Sequence, residues 1–406
     1  MIQTTDSLTT DCCIIGGGPA GLMLGYLLAR AGVKVTVVEK HADFLRDFRG
    51  DTIHPSTLEI MHQLGLLEDL LSLPHQRAER LKAEISGEEV TLADFSRLPV
   101  KCKFIAFMPQ WDFLNFLALQ ATTFANFTLL RSCTFDDFIY QDQQISGARL
   151  LMEGKPLDIH ASLVVGCDGR HSKVREKAGL SGQSFGAPRD VVWFQLDKRE
   201  TDPQWGMGHK GPRQNFIMID RGHFWQCGYS IVKGEFPELA LAGIEAFKQQ
   251  VASVAPFPES RLETLTQWSQ LRLLDIRIDR LNHWAKPGVL CIGDAAHAMS
   301  PIGGVGVNLA IQDAVATANI LTQPLLRGKV TLKHLNKVQR RRQFPTRATQ
   351  YIQIKMSGKK RQPGQSSPLP GIIKRYRFLP YIFGWIIGLG FRREKPRNLP
   401  GYTRLL

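Results

Sequence analysis

The feature that most constrains the fold is a glycine-rich turn near the start of the chain, Gly16-Gly17-Gly18-Pro19-Ala20-Gly21. The apolar run at residues 11–15 before it predicts a strand, and residues 22–31 after it have the apolar spacing of a helix. The valine-rich run at residues 33–38 predicts a second strand. A strand, a helix and a strand with such short connections form a βαβ unit, which predicts a parallel sheet.

The same turn has the spacing that binds dinucleotides. Glycines at 16, 18 and 21 permit a tight turn and a close approach of the backbone to a pyrophosphate, and the following helix start offers free N–H groups. Glu39, at the end of the second strand, can accept hydrogen bonds from a ribose. With strand, helix and acid in place the motif predicts a dinucleotide, although it does not distinguish FAD from NAD.

Two later segments place polar residues beside predicted helix starts. Residues 49–59 (RGDTIHPSTLE) put Arg49 where it can contact phosphate or flavin groups, and they predict a capping box formed by Ser56 and Glu59. A short strand at residues 162–165 leads into Asp168 and Gly169. That pattern is typical either of a second phosphate-contacting turn or of an ordinary strand-to-helix turn.

The segment at residues 293–308 (GDAAHAMSPIGGVGVN) is the most specific. A buried strand at residues 289–292 brings Asp294 to its end, where a carboxylate can hold sugar-like hydroxyl groups. The glycine-rich turn then leads into a helix predicted over residues 307–321, whose N-terminus can stabilise the negative charge of a reduced flavin. So many glycines beside a buried acid favour a ligand site.

The middle of the chain differs from this α/β pattern. Runs at residues 191–196, 215–220 and 223–232 predict strands, with Arg221-Gly222 as a hairpin turn, whereas residues 56–71 and 237–254 have helical spacing. We predict a mixed α/β (α+β) fold with three parts. They are a Rossmann-like parallel-sheet domain (residues 1–75, 101–180 and 286–340), an inserted antiparallel-sheet substrate domain (residues 76–100 and 181–285), and a basic C-terminal helical segment (residues 341–406).

Taken together, these motifs resemble those of the class A flavoprotein monooxygenases, the family of para-hydroxybenzoate hydroxylase, over roughly residues 11–321. The resemblance implies that FAD is the cofactor, with the first glycines and Glu39 at its ADP half, Asp294 at the ribityl chain and Pro301 at the isoalloxazine ring. Gln110 stands where many members have an arginine and can still bond FAD. The implied FAD site consists of Gly16, Gly18, Pro19, Ala20, Gly21, Glu39, Lys40, Arg49, Gln110, Asp168, Gly169, Asp294, Pro301, Gly303, Gly304, Gly306, Val307 and Asn308.

The resemblance also implies a reaction. NAD(P)H, a transient reductant that also contacts the Asp168-Gly169 turn, reduces FAD. Oxygen then forms a flavin C4a-hydroperoxide, which hydroxylates an aromatic, polyketide-like or quinone-like small molecule. The flavin performs the chemistry in that family, so no protein nucleophile is expected. Pro301 is expected to shape the reactive face of the flavin. His297 is either an acid/base group or, as we favour, a structural residue.

Substrate contacts are expected on the inserted sheet, where His223, Trp225 and Tyr229 are candidates. Aromatic residues in a strand are also typical packing residues, and a histidine at a turn is typically solvated. The strand offers two faces, one with Trp225, Cys227 and Tyr229 and the other with Gln226, Gly228 and Ser230. Two other functions stay open: an FAD-dependent reductase or dehydrogenase of a lipid or isoprenoid, and a flavin-fold binding protein without catalysis.

The positive charge of the chain is concentrated at its C-terminal end. Residues 331–406 contain 18 Lys and Arg and one acid, Glu394, so the remainder has 33 basic and 36 acidic residues. This remainder of the chain is slightly acidic, which argues against nucleic-acid binding by it. The 14-residue apolar run at residues 378–391, flanked by basic residues, predicts a helix packed on the substrate domain, which we favour, or a peripheral anchor on anionic lipid.

Cysteine usage and the start of the chain complete the expectations. The seven cysteines lack metal-ligand spacing, so buried thiols and no metal site are predicted. The first apolar run is too short for a secretory leader, which predicts a cytoplasmic protein. A monomer or a homodimer would suit such a chain.

Overall fold

The computed structural model describes residues 6–45, 52–85, 88–200, 202, 208–210, 215–357 and 369–397. The strands of these ranges are β1 (Asp6–Ile15), β2 (Val35–Val38), β3 (Thr52–Ile53), β4 (Gln76–Ala78), β5 (Arg80–Ile85), β6 (Glu88–Asp94), β7 (Ile105–Phe107), β8 (Phe127–Leu130), β9 (Cys133–Gln141), β10 (Gln144–Met152), β11 (Lys155–Gly166), β12 (Gly182–Ser184), β13 (Arg189–Asp197), β14 (Gly208–Lys210), β15 (Asn215–Asp220), β16 (Phe224–Val232), β17 (Arg272–Leu274), β18 (Asp279–Leu281), β19 (Ala285–Lys286) and β20 (Val289–Cys291). The helices are α1 (Pro19–Arg30), α2 (Pro55–Gln63), α3 (Leu67–Leu71), α4 (Gln110–Thr122), α5 (Lys173–Lys177), α6 (Phe236–Ala242), α7 (Ile244–Ala252), α8 (Gly306–Leu326), α9 (Leu332–Ser357), α10 (Leu369–Arg375) and α11 (Leu379–Gly388). Short 3-10 turns occur at Glu259–Thr264, Trp268–Gln270, Gly293–Ala295 and Ile302–Gly304.

The first sheet has a parallel centre and runs in the order β19-β20-β11-β1-β2-β8, with β10 and β9 attached to β11. In its register Ile15 lies opposite both Val38 and Gly166, and Gly166 lies opposite Cys291. Strands β1, β2, β11 and β20 therefore end side by side. Ligands of open α/β sheets bind at this carboxyl edge.

Strand β1 is buried on both faces over its last four residues, 12–15. Cys12 and Cys13 point to opposite sides of the sheet, and both are fully buried. Burial holds the pKa of the Cys12 thiol well above its ordinary value. Six of the seven cysteines are buried and Cys167 is partly buried, so the prediction of buried thiols is confirmed.

The second sheet runs in the order β17-β13-β16-β15-β14-β5-β6. Its strands pair antiparallel except β14 with β5, which are parallel. Helices α6 and α7 cover one face, where Leu239 and Phe247 join a core with β13 and β16. The predicted mixed α/β class, with a parallel sheet and a largely antiparallel one, is confirmed. The predicted domain boundaries stay a prediction.

Glycines divide two of the predicted helices. Residues 56–71 form α2 and α3 with Gly65 between them, and residues 237–254 form α6 and α7 with Gly243 between them. Their φ angles are 73° and 92°, which lie outside the helical region and are readily reached only by glycine. Each predicted helix therefore ends where its glycine reverses the chain.

The predicted capping box of Ser56 and Glu59 is wrong. Helix α2 begins at Pro55, with His54 as its N-cap and no side-chain cap bond. Because proline suits the first position of a helix, the helix starts before Ser56. Glu59 instead accepts hydrogen bonds from Gln63 Nε2 at 3.1 Å and from the backbone N–H of Lys101 at 3.0 Å.

The C-terminal helix α11 packs on β6 of the second sheet. A Cβ atom on Gly388 would lie 2.8 Å from Leu98 Cδ1, and one on Gly384 would overlap the backbone of Asp94. The favoured packing is thereby confirmed for one face of α11, while membrane contact by this segment stays a prediction. Within the ranges that the structure describes, no helix combines the length and the apolar character needed to cross a membrane.

Candidate functional site

The turn after β1 is built by close backbone contacts. A Cβ atom on Gly16 would overlap the backbone carbonyl of Cys167, and one on Gly21 would overlap the carbonyl of Gly16. At Gly18, by contrast, a Cβ atom would find no heavy atom within 4 Å. The first and third glycines therefore serve packing, whereas the second borders open space where a phosphate group can approach.

Helix α1 presents an uncapped N-terminus to that space. Its N-cap is Gly18, no side chain bonds the cap, and Pro19 occupies the first turn. The free N–H groups and the helix dipole make this end a site for an anionic pyrophosphate.

Glu39 lies beside the same turn, at the end of β2. Its side chain is buried and accepts hydrogen bonds from the backbone N–H groups of Gly17 at 3.0 Å and His41 at 3.1 Å. The next residue, Lys40, is exposed. A carboxylate fixed in this way, next to an open phosphate site, fits the ribose-binding acid of a dinucleotide motif.

The turn after β11 holds Asp168, which binds the first turn of α5, the helix whose N-cap is Ser172. Its carboxylate accepts hydrogen bonds from Ser172 Oγ at 2.6 Å and from the N–H of Val174 at 3.1 Å. Burial raises the pKa of Asp168, although these hydrogen bonds act in the opposite direction. These hydrogen bonds are typical of an ordinary strand-to-helix turn, one of the two interpretations of this motif. Contact of Asp168 and Gly169 with FAD or NAD(P)H stays a prediction.

Arg170 joins this turn to the one after β20. It donates from Nη1 to the carbonyl oxygen of Asp275 at 2.9 Å, and its Nη2 lies 3.5 Å from Asp294 Oδ2. The Asp294 side chain is about one third exposed, so it is still accessible to a ligand. Arg170 was not predicted as a site residue, although its position directly after Asp168-Gly169 was an available signal.

A buried ion cluster supports the Asp294 turn from behind. Asp313 is fully buried and accepts hydrogen bonds from the N–H of Gly293 at 3.2 Å, from His297 Nε2 at 2.6 Å and from Arg342 Nε at 2.8 Å. Burial alone would raise the pKa of Asp313, but His297 and Arg342 hold it below its usual value. His297 is thus oriented by a hydrogen bond to a buried carboxylate, which supports the structural role that we favour for it.

The same cluster reaches the C-terminal segment. Arg342 also contacts Glu394 Oε1 at 3.2 Å, and Arg341 contacts the same oxygen at 2.7 Å. The single acid of residues 331–406 is therefore turned inward and ion-paired. Arg342 was not predicted as a buried residue, because nothing in the run Arg340-Arg341-Arg342 marks which side chain is buried.

The turn before α8 forms the other end of the site. Pro301 is exposed, Gly303 and Gly304 are partly buried, and α8 begins at Gly306 with no side-chain cap. Asn308 accepts hydrogen bonds through Oδ1 from the His54 N–H at 3.0 Å and from Thr57 Oγ1 at 2.6 Å. A second helix N-terminus is therefore free, and Asn308 itself binds α8 to α2.

The remaining predicted cofactor contacts are distributed as follows. Gln110 is the first residue of α4 and is partly buried. Pro19, Ala20 and Gly21 form the first turn of α1, and Val307 lies in the first turn of α8. Arg49 lies outside the described residues. The register thus places the turns after β1, β2, β11 and β20 along one edge, while the individual FAD contacts stay predictions.

The two faces of strand β16 differ in what packs against them. Trp225 and Tyr229 are fully buried on the face covered by α6 and α7, where Trp225 Nε1 donates to Asp202 at 2.8 Å and the Tyr229 ring meets Phe247 edge-on. His223 is exposed at the hairpin turn. These positions favour packing and solvated roles, and substrate contact by the three residues stays an untested prediction.

The opposite face contains Trp193, whose ring lies over Gly228. A Cβ atom on Gly228 would approach Trp193 Cζ3 to 2.8 Å. Trp193 packs with Leu274 and Ile276, which flank the Asp275 carbonyl that Arg170 binds. This face is therefore adjacent to the Asp294 turn, and the Trp193 Nε1 donor has no hydrogen-bond partner among the described residues.

Comparisons with known proteins agree with this geometry. The family model described as an FAD binding domain matches residues 9–351. The 6-methylpretetramide 4-monooxygenase of Streptomyces rimosus is 29% identical over 354 residues, which cover 87% of this chain and 84% of that protein. A rifampicin monooxygenase of Rhodococcus hoagii is 30% identical over 326 residues, or 75% of this chain and 62% of that protein, so this chain spans less than two thirds of that relative.

The solved structure of the anhydrotetracycline hydroxylase OxyS of Streptomyces rimosus has the same fold. It superposes with a TM-score of 0.74 at 22% identity, and the match covers 94% of this chain and 76% of that one. The predictions of FAD as the cofactor and of an enzyme of the monooxygenase class are confirmed. The chain therefore belongs to the FAD-binding domain family, within the flavoprotein monooxygenase class that its motifs resemble.

Proposed function

We propose that this enzyme uses NAD(P)H and O2 to hydroxylate an aromatic, polyketide-like or quinone-like small molecule. The observation that carries the proposal is the arrangement at the carboxyl edge of the first sheet. Two uncapped helix N-termini, of α1 and α8, accompany two carboxylates, Glu39 and Asp294. An extended anionic dinucleotide needs donors and acceptors of this kind along its length.

Each part of the edge suits one part of FAD. The start of α1 and the open space at Gly18 suit the pyrophosphate, and Glu39 suits the adenosine ribose. Asp294, held by Arg170, suits the ribityl hydroxyls, and the start of α8 can stabilise negative charge on the reduced ring. When bound, FAD supplies the redox and oxygen chemistry, with NAD(P)H as reductant and a flavin C4a-hydroperoxide as the oxygen donor.

The protein then has to orient the substrate and exclude water. The Trp193 face of the second sheet is suited to this task because it is apolar, adjacent to the Asp294 turn and provided with one unpartnered N–H donor. A flat aromatic compound could pack on such a wall, and it would accept that hydrogen bond once the ring of Trp193, which is 9% exposed, turns toward it. The relatives named for 6-methylpretetramide and rifampicin support a large, polyketide-like substrate.

An oxygen-uptake screen tests the proposal. The FAD-loaded protein would be mixed with NADPH or NADH and a panel of phenolic, quinone-like and polycyclic compounds, with FAD-depleted protein as the control. We expect one class of compound to stimulate oxygen uptake and to gain one oxygen atom, labelled when the gas is ¹⁸O2. Substrate-dependent oxidation of NAD(P)H without oxygen uptake, giving a saturated product, would instead establish the reductase alternative.

A further inference from the structure

Helix α11 has two unlike faces. Pro380, Gly384 and Gly388 are buried, and they let the helix lie against the backbone of β6. The ring of Tyr381 is held by the Arg97 guanidinium, whose carbon lies 4.0 Å from the ring centroid. These contacts fix the rotation of the helix, so the direction of its outer face is set by packing.

The outer face is apolar and exposed. Phe378, Ile382 and Trp385 follow one another at intervals of four and three residues, which places them in one stripe. Their exposed fractions are 56%, 44% and 45%, although each is large and apolar. Ile372 and Tyr376, each 43% exposed, precede this stripe in and just after α10. Contiguous exposed apolar residues of this kind mark interaction surfaces.

Positive charge surrounds the stripe. Arg375 and Arg377 are exposed just before it, and Arg392 and Lys395 are exposed just after it. The guanidinium of Arg393 lies 5.9 Å from the centre of the Trp385 ring. The one acid of residues 369–397, Glu394, is buried in ion pairs with Arg341 and Arg342. No carboxylate side chain of residues 369–397 therefore offsets the charge of this surface.

We propose that the stripe and its flanking cations, residues 372–395, form a docking surface for an anionic lipid bilayer. The large apolar side chains would enter the boundary between headgroups and acyl chains, and the arginines would contact lipid phosphates. With ten residues α11 is about 15 Å long, which is too short to cross a bilayer. The proposed helix therefore lies in the plane of the membrane interface. A second copy of the chain fits less well, because two-fold pairing would bring identical cationic rims together. The proposal does not depend on the proposed hydroxylation.

Vesicle flotation with the purified full chain tests the docking surface. We expect the chain to float with vesicles of phosphatidylcholine and phosphatidylglycerol at physiological salt and to stay at the bottom with pure phosphatidylcholine. The double variant Arg375→Gln/Arg377→Gln should bind about 30-fold more weakly, since each basic residue near an anionic surface contributes roughly a factor of five. The double variant Ile382→Ser/Trp385→Ser should lose flotation as well.

Matched substitutions outside this surface serve as controls. Leu241→Ser changes an apolar side chain that is 89% exposed, and Lys34→Gln/Lys155→Gln removes two exposed charges from other surfaces. Both should float like the unaltered chain, and all variants should melt at nearly the same temperature because the altered side chains are exposed.

Three results would overturn the proposal. They are no flotation of the unaltered chain, equal flotation with neutral vesicles, or flotation that the stripe variants do not reduce. A dimer in solution that the same stripe substitutions convert to a monomer, without flotation, would assign the surface to a second copy instead.

Discussion

Replacing Arg342 with methionine should destabilise the protein far more than the same change at its neighbour Arg341. The Arg342 side chain is 1% exposed and pairs with Asp313 and Glu394, whose side chains are 0% and 5% exposed. Methionine keeps most of the volume but leaves two buried carboxylates without this cation. Breaking a buried pair from one side costs about 3–5 kcal/mol.

Arg341 provides a matched control on the same helix. It contacts the same Glu394 oxygen, but its side chain is 41% exposed. Exposed pairs contribute only about 0–1 kcal/mol because water and salt screen them. The two variants therefore differ mainly in the burial of the pair.

Thermal unfolding with equal added FAD would measure the difference. At roughly 2–4 °C for each kcal/mol, Arg342→Met should lower Tm by about 6–20 °C, and Arg341→Met by at most a few degrees. The pKa of Asp313 is lowered, so its contribution is present above the ordinary aspartate pKa of about 3.9 and is lost as pH falls through the lowered folded value. The gap between the variants should therefore persist from neutral to about pH 5. Equal losses of Tm would refute the buried-cluster reasoning.

Three further sets of substitutions test the site and the packing around it. Gly18→Ala should weaken FAD binding by about 10-fold or more without lowering the Tm of the FAD-free protein. Gly21→Ala should lower that Tm, because its Cβ atom would overlap the Gly16 carbonyl. Equal Tm values for the two variants would contradict the different roles assigned to Gly18 and Gly21. Burial lowers the pKa of His54 to about 4, despite its hydrogen bond to the Ile387 carbonyl. As pH falls, the unfolded chain therefore takes up a proton at this histidine before the folded protein does. The free energy of unfolding should fall by about 3 kcal/mol between about pH 6.5 and pH 4. In urea titrations at several pH values, His54→Asn should remove this pH dependence of stability, whereas the exposed control His223→Asn should keep it. A pH dependence that survives in His54→Asn would show that His54 is not its cause. Trp193→Phe should raise the KM of the hydroxylated substrate about 2- to 10-fold through loss of one N–H donor, with FAD affinity unchanged, and an unchanged KM would exclude Trp193 from the substrate wall.

The cofactor edge could be predicted from local sequence because it depends on neighbouring residues. Gly21 and Glu39 make their backbone contacts within one βαβ unit, so the pattern that predicts the unit also locates its turn. Asp294 could be predicted for the same reason, since it follows directly from the end of β20.

What could not be predicted depends on packing between distant elements. The two-residue period of β16 defines two faces, but the choice between them is made by α6 and α7 packing over Trp225 and Tyr229. The burial of Arg342 likewise depends on how α9 is rotated against α8, which three consecutive arginines do not indicate. Glu394 offered a signal that was not used, because a lone acid among many cations is well placed to be ion-paired.

The most direct test of the central claim is an absorbance spectrum of the purified protein, followed by anaerobic addition of NADPH or NADH and then of oxygen. The account predicts a flavin spectrum, present on purification or after loading with FAD, that bleaches with the reductant and returns with oxygen. A protein that takes up no FAD, or whose bound flavin is reduced by neither nucleotide, would contradict it.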